Sequence, residues 1–423
     1  MNYVLHGNII YTPTKEQFEI RPNHYLVCEA GKVAGIYPDI PDKYRNFKLY
    51  EYEDCIITPG LCDTHLHAPQ YAFRGLGMDM KLLDWLNQHA FLEEMAYEDL
   101  EYAKTAYTQF VSDLKKSATT RAAIFATRHI PATLLLMELL EAAGMCCLVG
   151  KVNMDRNAVP GLVDEPAAIA LEQTEAWIVE SRNRFKRVLP IVTPRFVPSC
   201  SNEVLEGLGR LARKYNLPVQ SHLSENQGEI DWVRELHPDR ASYADVYAEY
   251  DLFGDGTPTV MAHCVHCDEG ERQMLAKRGV LVSHCPSSNV NLTSGIAPIR
   301  RYLEEGIAVG LGTDIAAGHD LSMFRAMADA VQLSKLHSYY EDSSEKPLRI
   351  AEVFYMGTKG AAPLFGRVGS FEEGYEFDAI VLDDHQMLSP RTLSLEQRIE
   401  RIVYLEKEVK IVDKYVGGCR IQQ

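Results

Sequence analysis

The sequence predicts an α/β protein: a (β/α)8 TIM-type barrel with a small β-sandwich domain formed by the N- and C-terminal segments. Three observations lead there. Eight short apolar runs of strand character recur along the middle of the chain, most of them followed by a helical pattern. Both ends instead read as short strands joined by turns, with little helical periodicity. Residues able to do chemistry stand directly after the apolar runs, where the strands of such a barrel open onto one face.

Taken in order, residues 1 to about 57 supply "YVLHGNIIY", "YLVCEAGKVAGIY" and "KLYEYEDCIITPG" as strands. The eight runs follow: "IITPGLCDTH", "TTRAAIFAT", "CCLVGKVNMD", "RVLPIVTPRF", "LPVQSHLSEN", "TVMAHCVH", "GVLVSHCPSSN" and "IAVGLGTD". Helical candidates between them include "DLEYAKTAYTQFVSDLKKS", "ATLLLMELLEAAG", "SNEVLEGLGRLARKYN" and "DEGERQMLAKRG". The end of the chain, "EFDAIVLDD" and "RIVYLEKEVKIVDKYVGGCRI", reads as strand again. The expected division is residues 1–58 plus 366–423 for the β-rich domain and 59–365 for the barrel. A doubly wound sheet alternates in the same way, so alternation alone does not separate the two architectures.

Composition narrows the function. A chain of 423 residues, 46% of them hydrophobic, can bury one large core and an accessory one. With 43 Lys and Arg against 59 Asp and Glu, the net charge of −16 repels a phosphate backbone, and no nucleic-acid partner is expected. The 10 cysteines form no regular framework, which suits a reducing cytoplasm. The opening "MNYVLHGNIIYTPT" shows no basic region followed by an apolar one, so no secretory signal is expected. The longest stretch free of Asp, Glu, Lys and Arg, Gly279 to Ile299, is rich in Ser, Asn, Thr and Gly, and no membrane span is expected.

The candidate chemistry begins at "DTHLH". On a strand, His65 and His67 point to one side and Leu66 to the other. Two imidazoles held together share a proton or a metal, and a lone pair of this kind is often only hydrogen-bonded. Arg195 and Phe196 follow the fourth run, and His222 with Glu225 the fifth. His263 and His266 end the sixth, His284 the seventh and Asp314 the eighth. On a barrel these residues meet at one face. His65, His67, His222 and Asp314 then offer three neutral imidazoles and a carboxylate, a donor set that suits a divalent ion such as zinc or iron. Such an ion lowers the pKa of its water from about 15.7 toward roughly 7, and Glu225 is placed to move protons.

The motifs "PGLCDTHLH", "HLSE", "AHC", "SHCPSSN" and "GLGTD", in this order, resemble the amidohydrolase superfamily in its metal-dependent deaminase branch. Within it, "DTHLHAPQYAFRG", "LVGKVNMD", "PIVTPRFVPSCS" and "SHLSEN" are similar to the members that act on guanine. The likeness runs from about Pro59 to Asp378. It implies a barrel with a β-sandwich from both ends, and hydrolysis of guanine to xanthine and ammonia. It implies metal ligation by His65, His67, His222 and Asp314, with Glu225 as proton shuttle and His263 bonded to the activated water. Asp314 would also aid proton movement. Gln70, Arg195 and the Phe196 backbone would hold the purine, with His222, Glu225 and Asp314 facing it. One divalent ion per subunit is implied, zinc first, with iron or manganese as alternatives. Members with two ions carry a carboxylated lysine after the fourth strand, where this chain has Arg195, while Lys151 belongs to the third. A homodimer in the cytoplasm is the expected state.

Plainer assignments compete. Arg195 could anchor a loop through a salt bridge, His266 reads as structural, His284 reads either way, and Asp63 reads as a support for the histidines or a neighbouring strand. Cys264-x-x-Cys267 lacks a second pair to complete a structural zinc site. The H-x-E with P-C-x-x-C signature of zinc nucleoside deaminases is absent. Trp85 and Phe91 are candidates to stack on a base, whereas Trp177 and Trp232 read as packing residues. Competing functions are a deaminase of another amino-heterocycle (cytosine, an adenosine derivative or a triazine) and a non-catalytic scaffold, which should lack the ligands this chain keeps.

Overall fold

The computed structural model describes residues 1–163 and 166–422. Four strands open the chain: β1 (Tyr3–Thr14), β2 (Gln17–Glu29), β3 (Lys32–Tyr37) and β4 (Lys48–Pro59). A single residue, Gly60, separates β4 from β5 (Leu61–His67), the first strand of a second sheet. That sheet continues through β6 (Thr119–Phe125), β7 (Cys146–Gly150), β9 (Val188–Pro190), β11 (Val219–Leu223), β12 (Thr259–His263), β13 (Leu281–His284) and β14 (Val309–Leu311), all parallel. Two short strands, β8 (Val152–Asn153) and β10 (Thr193–Pro194), pair with each other just after β7 and β9.

The eight runs read from the sequence are the eight strands of this sheet. Its order is β11-β12-β13-β14-β5-β6-β7-β9, and its two ends meet. Val192 pairs in parallel with Val219, the Val192 N–H donates to the Pro218 carbonyl at 2.9 Å, and the Gln220 N–H donates to the Val192 carbonyl at 3.0 Å. The sheet is closed, which excludes the doubly wound alternative. Ala123, Leu148, Ile191, Val260 and Leu281, together with Leu364, form one buried cluster within the barrel below the site. The opposite strand faces pack against the surrounding helices through Leu66, Ile124, Val149 and Val282.

The helices end where their sequences say they should. "DEGERQMLAKRG" becomes Glu269–Arg278, with Asp268 and Glu271 forming a capping box and Gly279 left-handed at φ +67. "SNEVLEGLGRLARKYN" becomes Asn202–Tyr215, capped by Ser201 and stopped by left-handed Asn216. No described helix is long and apolar enough to cross a membrane.

The terminal segments form one seven-stranded sheet, with β15 (Ala379–Asp383), β16 (Lys410–Val416) and β17 (Cys419–Ile421) added to the first four strands in the order β17-β16-β15-β4-β1-β2-β3. Only β1 and β4 are parallel. One part of the strand reading needs correction. "RIVY" at the start of the last run belongs to a helix, Leu395–Tyr404. Ser394 and Gln397 make a capping box there, and Ile399, Ile402 and Val403 bury one face, so helical period overrides the β-branched composition.

Two hydrogen-bonded anchors, at Asp378 and Lys414, dock this sheet on the barrel. Arg121 of β6 donates to both oxygens of Asp378, at 2.6 and 3.3 Å, and the Gly417 N–H donates to the same carboxylate at 2.6 Å. Lys414 of β16 donates to the carbonyls of Leu114, Lys115 and Ser117 at 3.0–3.1 Å, closing the carboxyl end of the helix Leu100–Lys116. Arg121→Ala leaves the Asp378 carboxylate buried without its cation. It is expected to lower the unfolding free energy by about 3–5 kcal/mol, read from the denaturant midpoint. A loss under about 1 kcal/mol would show that water reaches the pair.

Candidate active site

The carboxyl ends of the barrel strands bring the predicted residues together. His65 and His67 end β5, and a bulge between Asp63 and Leu66 sets Thr64 and His65 against the single residue Ala123 of β6. Their rings stand 5.0 Å apart at right angles. Nε2 of His67 lies 3.2 Å from Nε2 of His222, and Nε2 of His65 lies 3.2 Å from Oδ1 of Asp314. The same Asp314 oxygen is 3.6 Å from Nε2 of His67. All four residues are buried or nearly so.

The His222 ring and the strand bearing His65 are held from behind. Nδ1–H of His222 donates to the Arg195 carbonyl at 2.6 Å, which leaves its Nε2 lone pair facing the centre. Asp63 accepts from the Thr313 N–H at 3.0 Å, the Thr313 hydroxyl at 2.5 Å and the His65 N–H at 3.3 Å, joining the ends of β5 and β14. The support expected of Asp63 is therefore visible. Asp314 is left-handed at φ +49, as are His263 (φ +71), Cys264 (φ +49) and Ser224 (φ +46), so non-glycine backbone strain gathers around the site.

A second layer faces the cluster. Nε2 of His263 lies 3.5 Å from Oε2 of Glu225 and 3.7 Å from Oδ2 of Asp314, and its Nδ1–H donates to Asn289 at 2.9 Å. Ser294 donates to Oε1 of Glu225 at 2.9 Å. His266 donates to the Ser294 carbonyl at 2.7 Å and so fastens that loop. Glu229 accepts from the Glu225 N–H at 3.1 Å and from the Tyr243 hydroxyl at 2.8 Å.

These groups open into one cavity. Gln70, Arg195 and Phe196 line it beside His67, His222, Glu225, His263 and Asp314, and Leu82, Trp85 and Leu86 add apolar lining. His284 does not line the cavity, and neither does Phe91, contrary to the stacking reading. The Phe91 ring lies 4.9 Å from the Arg195 guanidinium carbon instead.

Burial and charge set the protonation. Burial holds His65 below the ordinary histidine value and His67 and His222 well below it, so their nitrogens are neutral donors. Burial opposes ionisation of Asp314, yet His65 and His263 hold its carboxyl down to about 2. Burial pushes Glu225 up to about 7. At His263, burial works against protonation, but the carboxylates of Glu225 and Asp314 outweigh it and raise its pKa.

The donor set fits a divalent transition ion. Nε2 of His65 makes no hydrogen bond despite its burial, and two neutral imidazoles present nitrogens to each other at 3.2 Å. Ligands about 2.1 Å from a shared tetrahedral ion stand about 3.4 Å apart.

Sequence reading missed Glu94, Asn289, Ser294 and Glu229. Glu94 accepts from Arg195 at 2.5 Å and from the Gln70 amide at 2.9 Å. Its signal was present: Ala90, Phe91 and Tyr97 share its helical face and are all buried.

Comparison with known proteins agrees with this geometry. The amidohydrolase family model matches residues 56–420, and the chain belongs to that family of hydrolytic enzymes. A probable guanine deaminase of Schizosaccharomyces pombe is 41% identical over 413 residues, 93% of this chain and 77% of that one. Guanine deaminase of Mus musculus is 34% identical over 440 residues, 99% and 96% of the two chains. The crystal structure of guanine deaminase from C. acetobutylicum, with guanine bound in its active site, superposes over 100% of both chains with a TM-score of 0.97 and 44% identity. Within the amidohydrolases, the chain is a member of the guanine deaminase group.

Histidines held below their ordinary pKa remain metal donors at lower pH, because fewer protons compete for the lone pairs. Metal content after equilibration near pH 5.5 is expected to match that near pH 7.5. Loss of most of the metal already near pH 6.5, the ordinary histidine value, would contradict the buried neutral set.

Proposed function

We propose that this chain hydrolyses guanine to xanthine and ammonia. The observation that carries the reading is one cavity lined by a donor cluster and a buried carboxylate together with Gln70 and Arg195. Membership of the guanine deaminase group supports the choice of base.

His65, His67, His222 and Asp314 would hold one divalent ion per subunit, zinc or iron by the chemistry of three imidazoles and a carboxylate. When bound, the ion supplies Lewis acidity that brings the pKa of a water toward roughly 7. Glu225 takes one proton from the attacking water and delivers it to the ring nitrogen as the C2–O bond forms, then passes the second proton of that oxygen to the departing amine as the C2–N bond breaks and the C2 carbonyl forms. A carboxyl pushed up to about 7 can both accept and return a proton near neutral pH. Ser294 and the Glu229-anchored backbone fix its direction. His263 faces the same proton path, with Asn289 holding its tautomer. Asp314 shares its second oxygen with that path. Gln70, Arg195 and the backbone at Phe196 hold the purine edge, and Trp85 covers the base. The ten free cysteines suit a reducing cytoplasm, and we take the working assembly to be a homodimer acting in purine breakdown.

The test is direct: count metal per chain in the purified protein, add guanine, and follow ammonia and xanthine. About one ion per chain with rapid xanthine formation is expected. Metal without guanine turnover would move the search to other aminated rings. Glu225→Gln is expected to retain its metal and lose about 10²- to 10⁴-fold in rate. If that variant instead loses its metal, Glu225 is a ligand and the proton-transfer role falls.

A further inference from the structure

We infer that Glu94 is a positioning residue that fixes the hydrogen-bond polarity of the base-reading pair, Gln70 and Arg195, and so determines which purine edge the cavity accepts. The inference rests on the proposed guanine chemistry and goes beyond it to a residue behind the cavity wall.

Glu94 lies on the helix Phe91–Ala96, is 1% exposed, and does not line the cavity. Its two oxygens are divided between two partners. Oε2 accepts from the Arg195 guanidinium at 2.5 Å, and Oε1 accepts from the Gln70 amide nitrogen at 2.9 Å. Both partners are themselves buried and both line the cavity. Phe91 packs its ring against the same guanidinium.

An ionised carboxylate can only accept. Gln70 must therefore turn its amide nitrogen toward Glu94. Its oxygen faces the other way, where the Ala316 N–H donates to it at 3.3 Å and a lone pair remains. Arg195 can only donate. The pair thus offers a ligand one acceptor and one donor in a fixed arrangement. That arrangement complements a lactam edge, N–H beside C=O, as guanine carries at N1 and C6. It opposes an amidine edge, ring nitrogen beside an amino group, as in 2,6-diaminopurine. An amide is nearly symmetric in shape, so its partners set its orientation: the Glu94 anion takes the nitrogen at 2.9 Å and the Ala316 N–H meets the oxygen at the longer 3.3 Å. A neutral amide at position 94 would remove the stronger, charged part of that constraint, because it could donate to the Gln70 oxygen and leave only the Ala316 N–H against turnover. It would also leave the buried Arg195 without its counter-charge.

The test compares guanine with 2,6-diaminopurine, following ammonia release from each, in wild type, Glu94→Gln and Glu94→Asp, with metal content and melting temperature as controls. Wild type is expected to prefer guanine by about 10⁴-fold in kcat/KM. Glu94→Gln is expected to keep its metal and narrow that preference by about tenfold or more, with guanine KM raised more than kcat is lowered. Glu94→Asp keeps the anion and is expected to restore most of the preference. An unchanged guanine to diaminopurine ratio in Glu94→Gln, with activity lowered equally on both, would overturn the inference and leave Glu94 a purely structural ion-pair partner. Should Glu94→Gln fail to fold, Gln70→Leu decides instead. It removes the oriented amide, so the ratio must narrow there too, and an unchanged ratio overturns the inference. Absence of guanine turnover in wild type would instead sink the proposed function, so the two failures are distinguishable.

Discussion

Lone pairs on several imidazoles can converge on one point only when every ring is held neutral and held still. In water each ring would protonate or turn away. Here burial suppresses the proton, and partners behind rings and strands suppress the turn. The Arg195 carbonyl takes Nδ1–H of His222, Asn289 takes that of His263, and Asp63 ties the strand bearing His65 to the loop bearing Asp314. A closed parallel barrel meets this demand because all eight strand ends face one way, and closure leaves no edge to open.

The same geometry divides the cavity into a reacting wall and a reading wall. The reacting wall carries carboxylates at Glu225 and Asp314 and, behind them, Glu229. Their mutual repulsion and burial favour shared protons, and His263 stands between two of them. The reading wall carries the opposite charge in Arg195. The two walls meet physically at residue 195: its side chain reads, while its carbonyl holds His222. Displacement of that backbone would disturb both walls together.

The eight strands and the four ligand candidates were readable in the sequence because both follow from local rules. Apolar runs of five or so residues between helical patterns mark barrel strands, and His or Asp at their carboxyl ends marks the open face. Two kinds of feature were not readable. The helix Leu395–Tyr404 is short and rich in Ile and Val, so its composition argued for a strand while its caps argued for a helix. Glu94 stood on a legible apolar helix face, but its bond to Arg195 spans 101 residues and that of Ser294 to Glu225 spans 69, and such distant pairings leave no local trace. Phe91 misled for a related reason. An aromatic side chain near a base-binding residue can pack on that residue rather than on the base, and only the fold decides which.

A buried arginine needs an anion wherever it stands, so the presence of Glu94 is explained by charge alone. Its bidirectional grip is not. A single carboxylate oxygen would have sufficed for Arg195, yet the second oxygen engages Gln70, the other cavity-lining group that can meet a polar ring edge on this wall. The helix that carries Glu94 continues from the segment holding Leu82, Trp85 and Leu86 in the cavity lining. One continuous helical segment thus carries both the apolar lining and the carboxylate, and the carboxylate sets the donors and acceptors that the base meets. Specificity in this arrangement resides less in the groups that touch the ligand than in the charge that leaves them only one way to face.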